Sequence, residues 1–228
     1  MTSTPITGSS NGPLTVRPSV ITICHLSTSR SERIVWLMEE LGLEYRIEPY
    51  TREPNGAAPA AMKDIHALGK APIIRDGELV LAESGAIVDY IIHRHAQGRL
   101  AVRPDAPAYA TYLYWLHFAE GSLMTLMLVA LALSRVPEAK DSPVKARVAD
   151  RMKQMLGFVD VHLAHNEYFA GTEFTAADVM MTFPFTTLRH FLEIDLTTHA
   201  NILAYLKRIE ARPAYRRAMS LAGPVVKA

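Results

Sequence analysis

Four hydroxyl side chains, Ser27, Thr28, Ser29 and Ser31, lie between a β-branched run at residues 20–23 and a predicted helix. A hydroxyl at such a strand-to-helix turn can donate to an anion, and a hydrogen bond to a charged group contributes about 1.5–3 kcal/mol. The positive end of the helix adds up to about 1 kcal/mol. The turn is therefore suited to stabilising an anion. Any of the four hydroxyls could instead only cap the helix.

A second candidate site lies at the start of a later predicted helix, where Glu83 and Ser84 precede the apolar residues Ile87, Val88 and Ile91. Free N–H groups at a helix N-terminus and an adjacent hydroxyl form a good carboxylate site. The Glu83 carboxylate offers an acceptor for an ammonium group. A zwitterionic ligand would suit both residues. The alternative is that they only cap the helix.

Two cations and a proline lie between these two regions. Lys70 precedes Ala71-Pro72, and Arg52 lies in an irregular segment after the second predicted strand. Either cation could face an anionic ligand, although a solvated surface position is commoner for Lys and Arg. An X-Pro bond is cis in only about 5–6% of folded cases, so the sequence alone favours a trans bond at Pro72. His66 could orient this loop, but an isolated histidine is more often structural.

The single cysteine, Cys24, begins a Cys-x-x-Ser pattern that superficially resembles a redox motif. It continues directly from the first strand, so we expect a small buried or half-buried residue. His162 and His165 are three residues apart on a predicted helix, but no carboxylate or thiolate stands at ligand spacing. No metal site is predicted.

These residues require a mixed α/β unit to position them. Apolar residues with helical period predict a first helix that Gly42 ends, and residues 45–49 predict a second strand. Asp76-Gly77 between two apolar runs predicts a tight antiparallel hairpin. Residues 18–98 therefore have the order β-α-β-α-β-β-α of a thioredoxin-like domain.

The second half of the chain is predicted to be helical. Residues 99–107 contain two prolines and no helical period, which indicates a linker. Residues 108–228 follow, with one long helix over about 108–134 and a capping box at Thr175-Ala176-Ala177-Asp178. The expected fold is an α/β domain of thioredoxin-like type followed by an all-helical domain.

The composition excludes several function classes. The 228 residues include 24 Lys plus Arg and 23 Asp plus Glu, and a net charge of +1 gives no reason to expect nucleic-acid or membrane-surface binding. One cysteine excludes an intrachain disulfide and fits a reducing compartment. Residues 1–17 lack an apolar run, so we expect a flexible leader. The charge-free stretch from Glu120 to Arg135 is shorter than the roughly 20 residues that span a bilayer, so it is predicted to be a buried helix.

In combination, residues 69–72, 81–87, 114–123 and the capping box resemble the cytosolic glutathione transferases, from about Ile21 to the C-terminus. Bacterial and fungal members with a Ser-Arg-Ser turn are the most similar. The resemblance implies that the first domain binds glutathione as co-substrate and that the helical domain holds a small hydrophobic electrophile. It also implies a cytoplasmic homodimer with a role in detoxification.

The resemblance assigns the thiol-activating position to the hydroxyl turn. Alignment without gaps on Gly42 places it at Thr28, whereas a register slip favours Ser29, and Ser27 also stays open. The resemblance places a cis proline at Pro72.

The remaining ligand contacts are also taken from the resemblance. It makes the Ala71 backbone a partner of the cysteinyl part of glutathione, and it assigns Glu83 and Ser84 to the γ-glutamyl end. Lys70, and with less support Arg52, would face the glycyl carboxylate.

His117 and Met124 are expected in the electrophile pocket, although an apolar stripe is more often plain core. Two other activities stay open. One is reduction of peroxides or disulfides by glutathione, and the other is a regulatory protein that binds glutathione without turnover.

Overall fold

The structure is a computed structural model that describes residues 20–137 and 142–224, so the predicted leader lies outside the described residues. Strands β1 (Ile21–Leu26), β2 (Tyr45–Tyr50), β3 (Ile73–Asp76) and β4 (Leu79–Ala82) form one sheet in the order β2-β1-β3-β4. Strand β2 is parallel to β1, whereas β3 is antiparallel to both β1 and β4. The thioredoxin-like sheet expected from the sequence is therefore confirmed.

The hairpin between β3 and β4 turns where Asp76 and Gly77 predicted it. Gly77 has φ = 58°, a left-handed conformation that glycine adopts without a steric penalty. The register pairs Ile73 with Ala82. This pairing sets the segment that follows β4 beside the segment that precedes β3, and both segments carry predicted ligand contacts.

The helices follow in chain order. They are α1 (Glu32–Leu41), α2 (Ala61–Ile65), α3 (Ser84–His95), α4 (Tyr109–Phe118), α5 (Thr125–Ser134), α6 (Pro143–His165), α7 (Ala176–Phe183), α8 (Arg189–Leu192), α9 (Ala200–Ala211) and α10 (Pro213–Ala222). The stretch between α3 and α4 contains no helix or strand. The all-helical second half is thus confirmed.

Helix α1 begins directly after the hydroxyl turn and ends at Gly42, which has φ = 63°. The sequence predicted one apolar stripe on α1, yet Glu32 and Arg33 are also buried. The reason is that α1 packs against α7 and α10 in addition to β1 and α3. Trp36 of α1 contacts Phe174 and Tyr215, with ring centroids 5.4 and 4.9 Å apart. The start of α1 is therefore held rigidly between the sheet and the helical half.

Helices α4 and α5 are joined through a π-helical segment, Ala119–Met124, so the predicted long helix is present with one wide turn. The expected burial of α5 is wrong, because Met127 is its only fully buried residue and Leu128 is 42% exposed. Side chains on one flank of α5 line a cavity instead of packing against protein. The segment Tyr109–Ser134 is long and apolar enough to cross a membrane by length and composition, which alone is weak evidence.

The predicted capping box at the start of α7 is confirmed. The Asp178 carboxylate accepts a hydrogen bond from the Thr175 backbone N–H at 2.9 Å, and the Thr175 hydroxyl accepts from the Ala177 N–H at 3.3 Å. Complete burial raises the pKa of Asp178 to about 6 despite these hydrogen bonds. The motif fixes the start of a helix that packs against both α1 and α4.

Candidate active site

A cavity of about 370 Å³ opens at the carboxyl end of β1, between the hydroxyl turn and the helical half. The first half of the chain contributes the predicted site residues Thr28, Ser29, Arg52, Lys70 and Ala71 to its lining. The helical half contributes Met124, Leu128, Leu131, Arg135 and Phe191, among others. The fold thus brings six of the predicted residues to one space.

The cavity lining carries four cations, of which only Arg30 is paired with a carboxylate among the described residues. Arg30, Arg52, Lys70 and Arg135 all line it, and no Asp or Glu is among its lining residues. Neither Lys70 nor Arg135 forms an ion pair within the described ranges. This electrostatic setting suits a ligand that carries carboxylates.

Arg52 holds the hydroxyl turn in place through the backbone. Its Nε and Nη2 atoms donate to the carbonyl oxygens of Ser27 and Thr28 at 3.1 and 3.0 Å, and Nη1 donates to Gly56 at 2.8 Å. Burial, with help from nearby Arg135, lowers the pKa of Arg52. Since three of its donors are committed to carbonyl oxygens, the arrangement supports a scaffolding role more than the carboxylate contact that the resemblance implied.

Thr28 adopts a backbone conformation that is unusual for its type. Its φ is 52°, in the left-handed region that β-branched residues avoid, and such conformations cost of the order of 1–3 kcal/mol. Arg52 donates to the backbone carbonyl before Thr28, at Ser27, and to the carbonyl of Thr28 itself. These two contacts flank the bond whose rotation is φ of Thr28. The strained turn exposes part of Thr28 to the cavity and keeps the neighbouring Ser29 buried.

Ser29 belongs to a buried row of three side chains, in which the sequence singled out Ser29 and Ser31 but not His25. Its Oγ shares a 2.8 Å hydrogen bond with Ser31 Oγ, and Ser31 Oγ shares another of 2.8 Å with Nδ1 of His25. The Ser31 N–H also donates to Ser29 Oγ at 3.2 Å. Burial lowers the pKa of His25, so its imidazole is neutral at pH 7.

Glu120 of the π-helical segment anchors the next residues of the turn. Its carboxylate accepts hydrogen bonds from Arg30, at 2.6 Å, and from the fully buried Arg33. Arg33 also donates to the Met180 carbonyl at 2.6 Å and lies over the Phe183 ring. Burial opposes ionisation of Glu120, but the two guanidinium groups hold its pKa below the ordinary value. The helical half therefore positions the turn electrostatically.

Glu32 is the first residue of α1 and is almost completely buried. The Thr187 hydroxyl lies 2.7 and 2.9 Å from its two carboxyl oxygens. Burial raises the pKa of Glu32 to about 8, against the effect of Thr187 and nearby Arg33. A neutral acid at this position leaves the positive end of α1 uncompensated, which favours an anion in the cavity.

The Ala71–Pro72 peptide bond is cis, as the resemblance implied and against the expectation from sequence frequencies. Ala71 lines the cavity, while Pro72 is buried beside it. Lys70 is exposed at the cavity wall. His66 accepts a hydrogen bond from the Leu68 N–H at 3.3 Å and is not among the cavity residues, which fits a role within its own loop.

Ser84 carries a buried hydroxyl with no hydrogen-bond partner in the part of the chain that is described. Neither the Ser84 nor the Glu83 side chain forms a capping hydrogen bond with the backbone at the start of α3. The helix-cap alternative therefore has no support in the contacts. A buried polar group without a partner costs about 1–3 kcal/mol, and a carboxylate bound at this helix start would satisfy it. Glu83 is exposed, with φ = 75°.

Five predicted residues are not among those that line the cavity: Ser27, Pro72, Glu83, Ser84 and His117. Ser27 contributes its carbonyl to Arg52 and is not a lining residue. His117 lines a separate groove between α3 and α4 together with Glu83. The wall residues Leu128, Leu131 and Phe191 were missed, although the i, i+3 spacing of the two leucines on a predicted helix was a readable signal.

Cys24 is fully buried, and burial raises the pKa of its thiol, which is unfavourable for a nucleophile. Among the described residues there is no group of three or more His, Cys, Asp or Glu side chains that could hold a metal ion.

Comparison with known proteins identifies the family to which this arrangement belongs. The family model "Glutathione S-transferase, N-terminal domain" matches residues 19–93, and "Glutathione S-transferase, C-terminal domain" matches residues 122–213. The chain belongs to the glutathione S-transferase family. Glutathione S-transferase 3 of Schizosaccharomyces pombe is 34% identical over 210 residues, which cover 86% of each chain. Glutathione S-transferase 1 of Saccharomyces cerevisiae is 31% identical, over 72% of this chain and 79% of the yeast protein.

The solved structure of a glutathione S-transferase from Actinobacillus pleuropneumoniae has the same fold. It superimposes with a TM-score of 0.81 at 32% identity and covers 90% of this chain and 94% of the other. A Pseudomonas fluorescens family member with two glutathione molecules bound has a TM-score of 0.76 at 23% identity, covering 88% of this chain and 92% of its own. The protein is therefore a glutathione transferase, an enzyme that uses glutathione as a substrate.

Proposed function

We propose that this transferase binds glutathione in the cavity, ionises its thiol at the hydroxyl turn and transfers the sulfur to a small hydrophobic electrophile. The observation that carries the proposal is the shared lining by Thr28, Ser29, Lys70 and Ala71. A donor for the sulfur, a cation for a carboxylate and a backbone edge for the peptide are thus available to one tripeptide.

The proposed ligand contacts use side-chain groups of Ser84, Glu83 and Lys70 that have no hydrogen-bond or ion-pair partner among the described residues. The γ-glutamyl end lies at the start of α3, where it supplies a carboxylate to the Ser84 hydroxyl and an ammonium group to Glu83. The cysteinyl part lies along the Ala71 backbone. The glycyl carboxylate faces Lys70, while Arg52 keeps the turn in shape through its carbonyl contacts.

The turn can shift the thiol equilibrium by the required amount. A thiol of pKa about 8.5 is only a few per cent ionised at pH 7. One hydroxyl hydrogen bond to the thiolate contributes about 1.5–3 kcal/mol, and each 1.36 kcal/mol lowers the pKa by one unit. The thiolate then attacks an electrophilic carbon, a carbon–sulfur bond forms, and the leaving group departs with its electron pair.

Two substitutions test the mechanism and separate the candidate hydroxyls. The variants are Thr28→Val and Ser29→Ala, assayed with a halonitroaromatic electrophile. We expect kcat/KM to fall about 10- to 100-fold in the variant that removes the donor to sulfur. Ser27→Ala is the matched control, because its carbonyl rather than its side chain is engaged by Arg52. Full activity in both variants would refute thiol activation by this turn.

The electrophile pocket in this proposal is the wall that the helical half contributes. Met124, Leu128, Leu131 and Phe191 make it apolar, and Arg135 adds a cation at one side. We therefore propose that the electrophile is a small hydrophobic molecule.

A second activity fits the same cavity. Two structures with this fold, from Pseudomonas fluorescens and Lodderomyces elongisporus, were solved with two glutathione molecules, per subunit in the second case. The additional cation Arg135 offers a partner for another carboxylate. Reduction of disulfides or peroxides by glutathione is therefore the alternative. Measuring conjugation, peroxide reduction and disulfide reduction on one preparation separates these activities. Tight glutathione binding without any turnover would indicate a regulatory protein.

We also propose that the enzyme is a cytoplasmic homodimer. The groove between α3 and α4, with Asp89, Tyr109 and His117 in its lining, offers a surface for a second copy. Light scattering coupled to size-exclusion chromatography should give twice the mass of the chain, and a monomer at micromolar concentration would contradict the proposal.

A further inference from the structure

The row Ser29–Ser31–His25 connects the cavity to a buried imidazole. Ser31 is completely buried, and His25 and Ser29 are each 6% exposed. The distance from Ser29 Oγ to Ser31 Oγ and the distance from Ser31 Oγ to His25 Nδ1 are both 2.8 Å, which is the usual length of a good hydrogen bond. Of the three residues, only Ser29 lines the cavity. Any influence of His25 on a ligand must therefore pass through two hydroxyl groups.

The direction of this row depends on one proton. If Nδ1 of His25 carries hydrogen, it donates to Ser31 Oγ, Ser31 donates to Ser29 Oγ, and the Ser29 proton is left for the cavity. If Nδ1 lacks hydrogen, Ser31 can donate to Nδ1 and draw the Ser29 proton inward. Ser29 then presents a lone pair to the cavity, which repels an anion. The tautomer of His25 thus determines whether Ser29 is a donor or an acceptor toward the sulfur.

We propose that His25 is a positioning residue, whose Nδ1–H orients the hydroxyls of Ser31 and Ser29 so that Ser29 donates to the glutathione thiolate. This inference rests on the proposed function. It adds His25 to the groups that promote thiol ionisation, although His25 touches neither substrate. A row of hydrogen bonds that all point the same way is mutually polarised, which strengthens the last donor.

The surroundings leave His25 free for this task. No described residue forms a hydrogen bond with Nε2 of His25, so Ser31 Oγ is the only hydrogen-bond partner of the imidazole among the described residues, and the proposal assigns the proton to Nδ1. The low pKa that burial gives the imidazole keeps it uncharged. Charged groups on the elements packed against β1 have other partners: Glu48 contacts Arg75 and Tyr50, Glu32 contacts Thr187, and Arg33 contacts Glu120.

The backbone contacts are consistent with this direction. Ser29 Oγ accepts from the Ser31 N–H at 3.2 Å, so one of its lone pairs is already used inward. When Ser31 Oγ also donates to it, both acceptor positions of Ser29 are filled from inside the protein. The hydroxyl proton is then the group available to a ligand. The competing acceptor for the Ser31 proton is the Leu26 carbonyl, at the longer distance of 3.3 Å.

The test measures the pKa of the bound glutathione thiol, from its ultraviolet thiolate absorbance and from the pH profile of kcat/KM. In His25→Leu, which removes the donor, we expect this pKa to rise by about half a unit to one unit. The rate at pH 6.5 should then fall about three- to tenfold and recover at high pH. His25→Asn, which can still donate to Ser31, should stay close to the wild-type pKa. Cys24→Ala, which changes the residue before His25 on β1, controls for disturbance of the strand.

A double-variant cycle separates positioning from a purely structural role. In a Ser29→Ala background the row no longer reaches the sulfur, so adding His25→Leu should leave the thiol pKa unchanged. An equal pKa increase in both backgrounds, or none in the single variant, would overturn the inference. If the wild-type enzyme failed to bind glutathione, or bound it with the thiol un-ionised, the proposed function itself would be contradicted. The two failures are therefore distinguishable.

Discussion

Glu120→Gln is the substitution that most directly tests how the helical half holds the hydroxyl turn. The Arg33 side chain is 1% exposed, and Glu120 is its only carboxylate partner among the described residues. After the substitution Arg33 keeps its hydrogen bond to the Met180 carbonyl and its position over Phe183. These neutral contacts cannot replace the negative charge that compensates a buried guanidinium.

The expected loss of stability follows from the burial of each partner. Removing one member of a buried ion pair costs about 3–5 kcal/mol. Glu120 itself is 29% exposed and its second partner, Arg30, is 28% exposed, so the lower end applies and the Arg30 contact adds little. We expect a decrease of about 3 kcal/mol in the free energy of unfolding, which lowers Tm by about 6–12 °C in a chain of this length.

Thermal and urea unfolding at pH 7, followed by circular dichroism, measure this loss. Glu39→Gln is the matched control, since Glu39 also joins the two halves but its partner Arg217 is 58% exposed. The control should cost less than about 1 kcal/mol. Equal, small effects in both variants would refute the view that Arg33 depends on Glu120.

The pH dependence of the same measurement gives a further check. Arg33 and Arg30 lower the pKa of Glu120 in the folded state, against the effect of burial. Its contribution is therefore complete above the unfolded pKa of about 4.3 and is lost as the pH falls through the lower folded value. The difference between wild type and Glu120→Gln should shrink in acid.

Three further predictions concern single side chains. Burial raises the folded pKa of Glu32 to about 8, so the wild type loses stability as the pH rises from 5 to 8. The Glu32→Gln variant lacks this titration and should therefore gain stability relative to wild type over the same range. Urea unfolding at pH 5 and at pH 8 measures the difference in the free energy of unfolding. Ser84→Ala should weaken glutathione binding about tenfold by calorimetry, while the free enzyme melts no lower, since the lost hydroxyl has no partner within the described ranges. Because Arg135 lines the cavity, Arg135→Ala should lower kcat/KM about two- to fivefold for an electrophile that carries a carboxylate. The value of kcat/KM for the neutral methyl ester of the same electrophile should not change. Arg103→Ala is the surface control.

Local patterns in the sequence predicted the elements well. The helix stop at Gly42, the hairpin at Asp76-Gly77 and the capping box at Thr175 were all confirmed. Each depends on groups within a few residues of one another, whose conformations are limited by backbone sterics and local hydrogen bonds. The combination of such motifs also sufficed to recognise the family, and the family models and relatives confirmed it.

Roles that depend on distant partners were harder to predict. The sequence offered Arg52 as a ligand for a carboxylate, but it did not predict that three of its five guanidinium N–H groups donate to backbone carbonyls. It placed His117 with Met124, but the π-helical turn between α4 and α5 changes the register of the side chains, and His117 lines another groove. A stripe pattern assumes a regular helix, so it cannot anticipate such a change.

The sequence by itself determined the order of strands and helices and the family, and it singled out the short hydroxyl stretch to which the proposed thiol activation is assigned. Only the tertiary structure decided which groups surround that hydroxyl: Glu120 beside Arg30 and Arg33, Thr187 against Glu32, and His25 behind Ser31. The physical reason is that hydrogen bonds and charge pairs act over a few ångströms, and most of these partners are about 90 to 155 residues apart along the chain. Packing of the helical half against α1 brings them within that range.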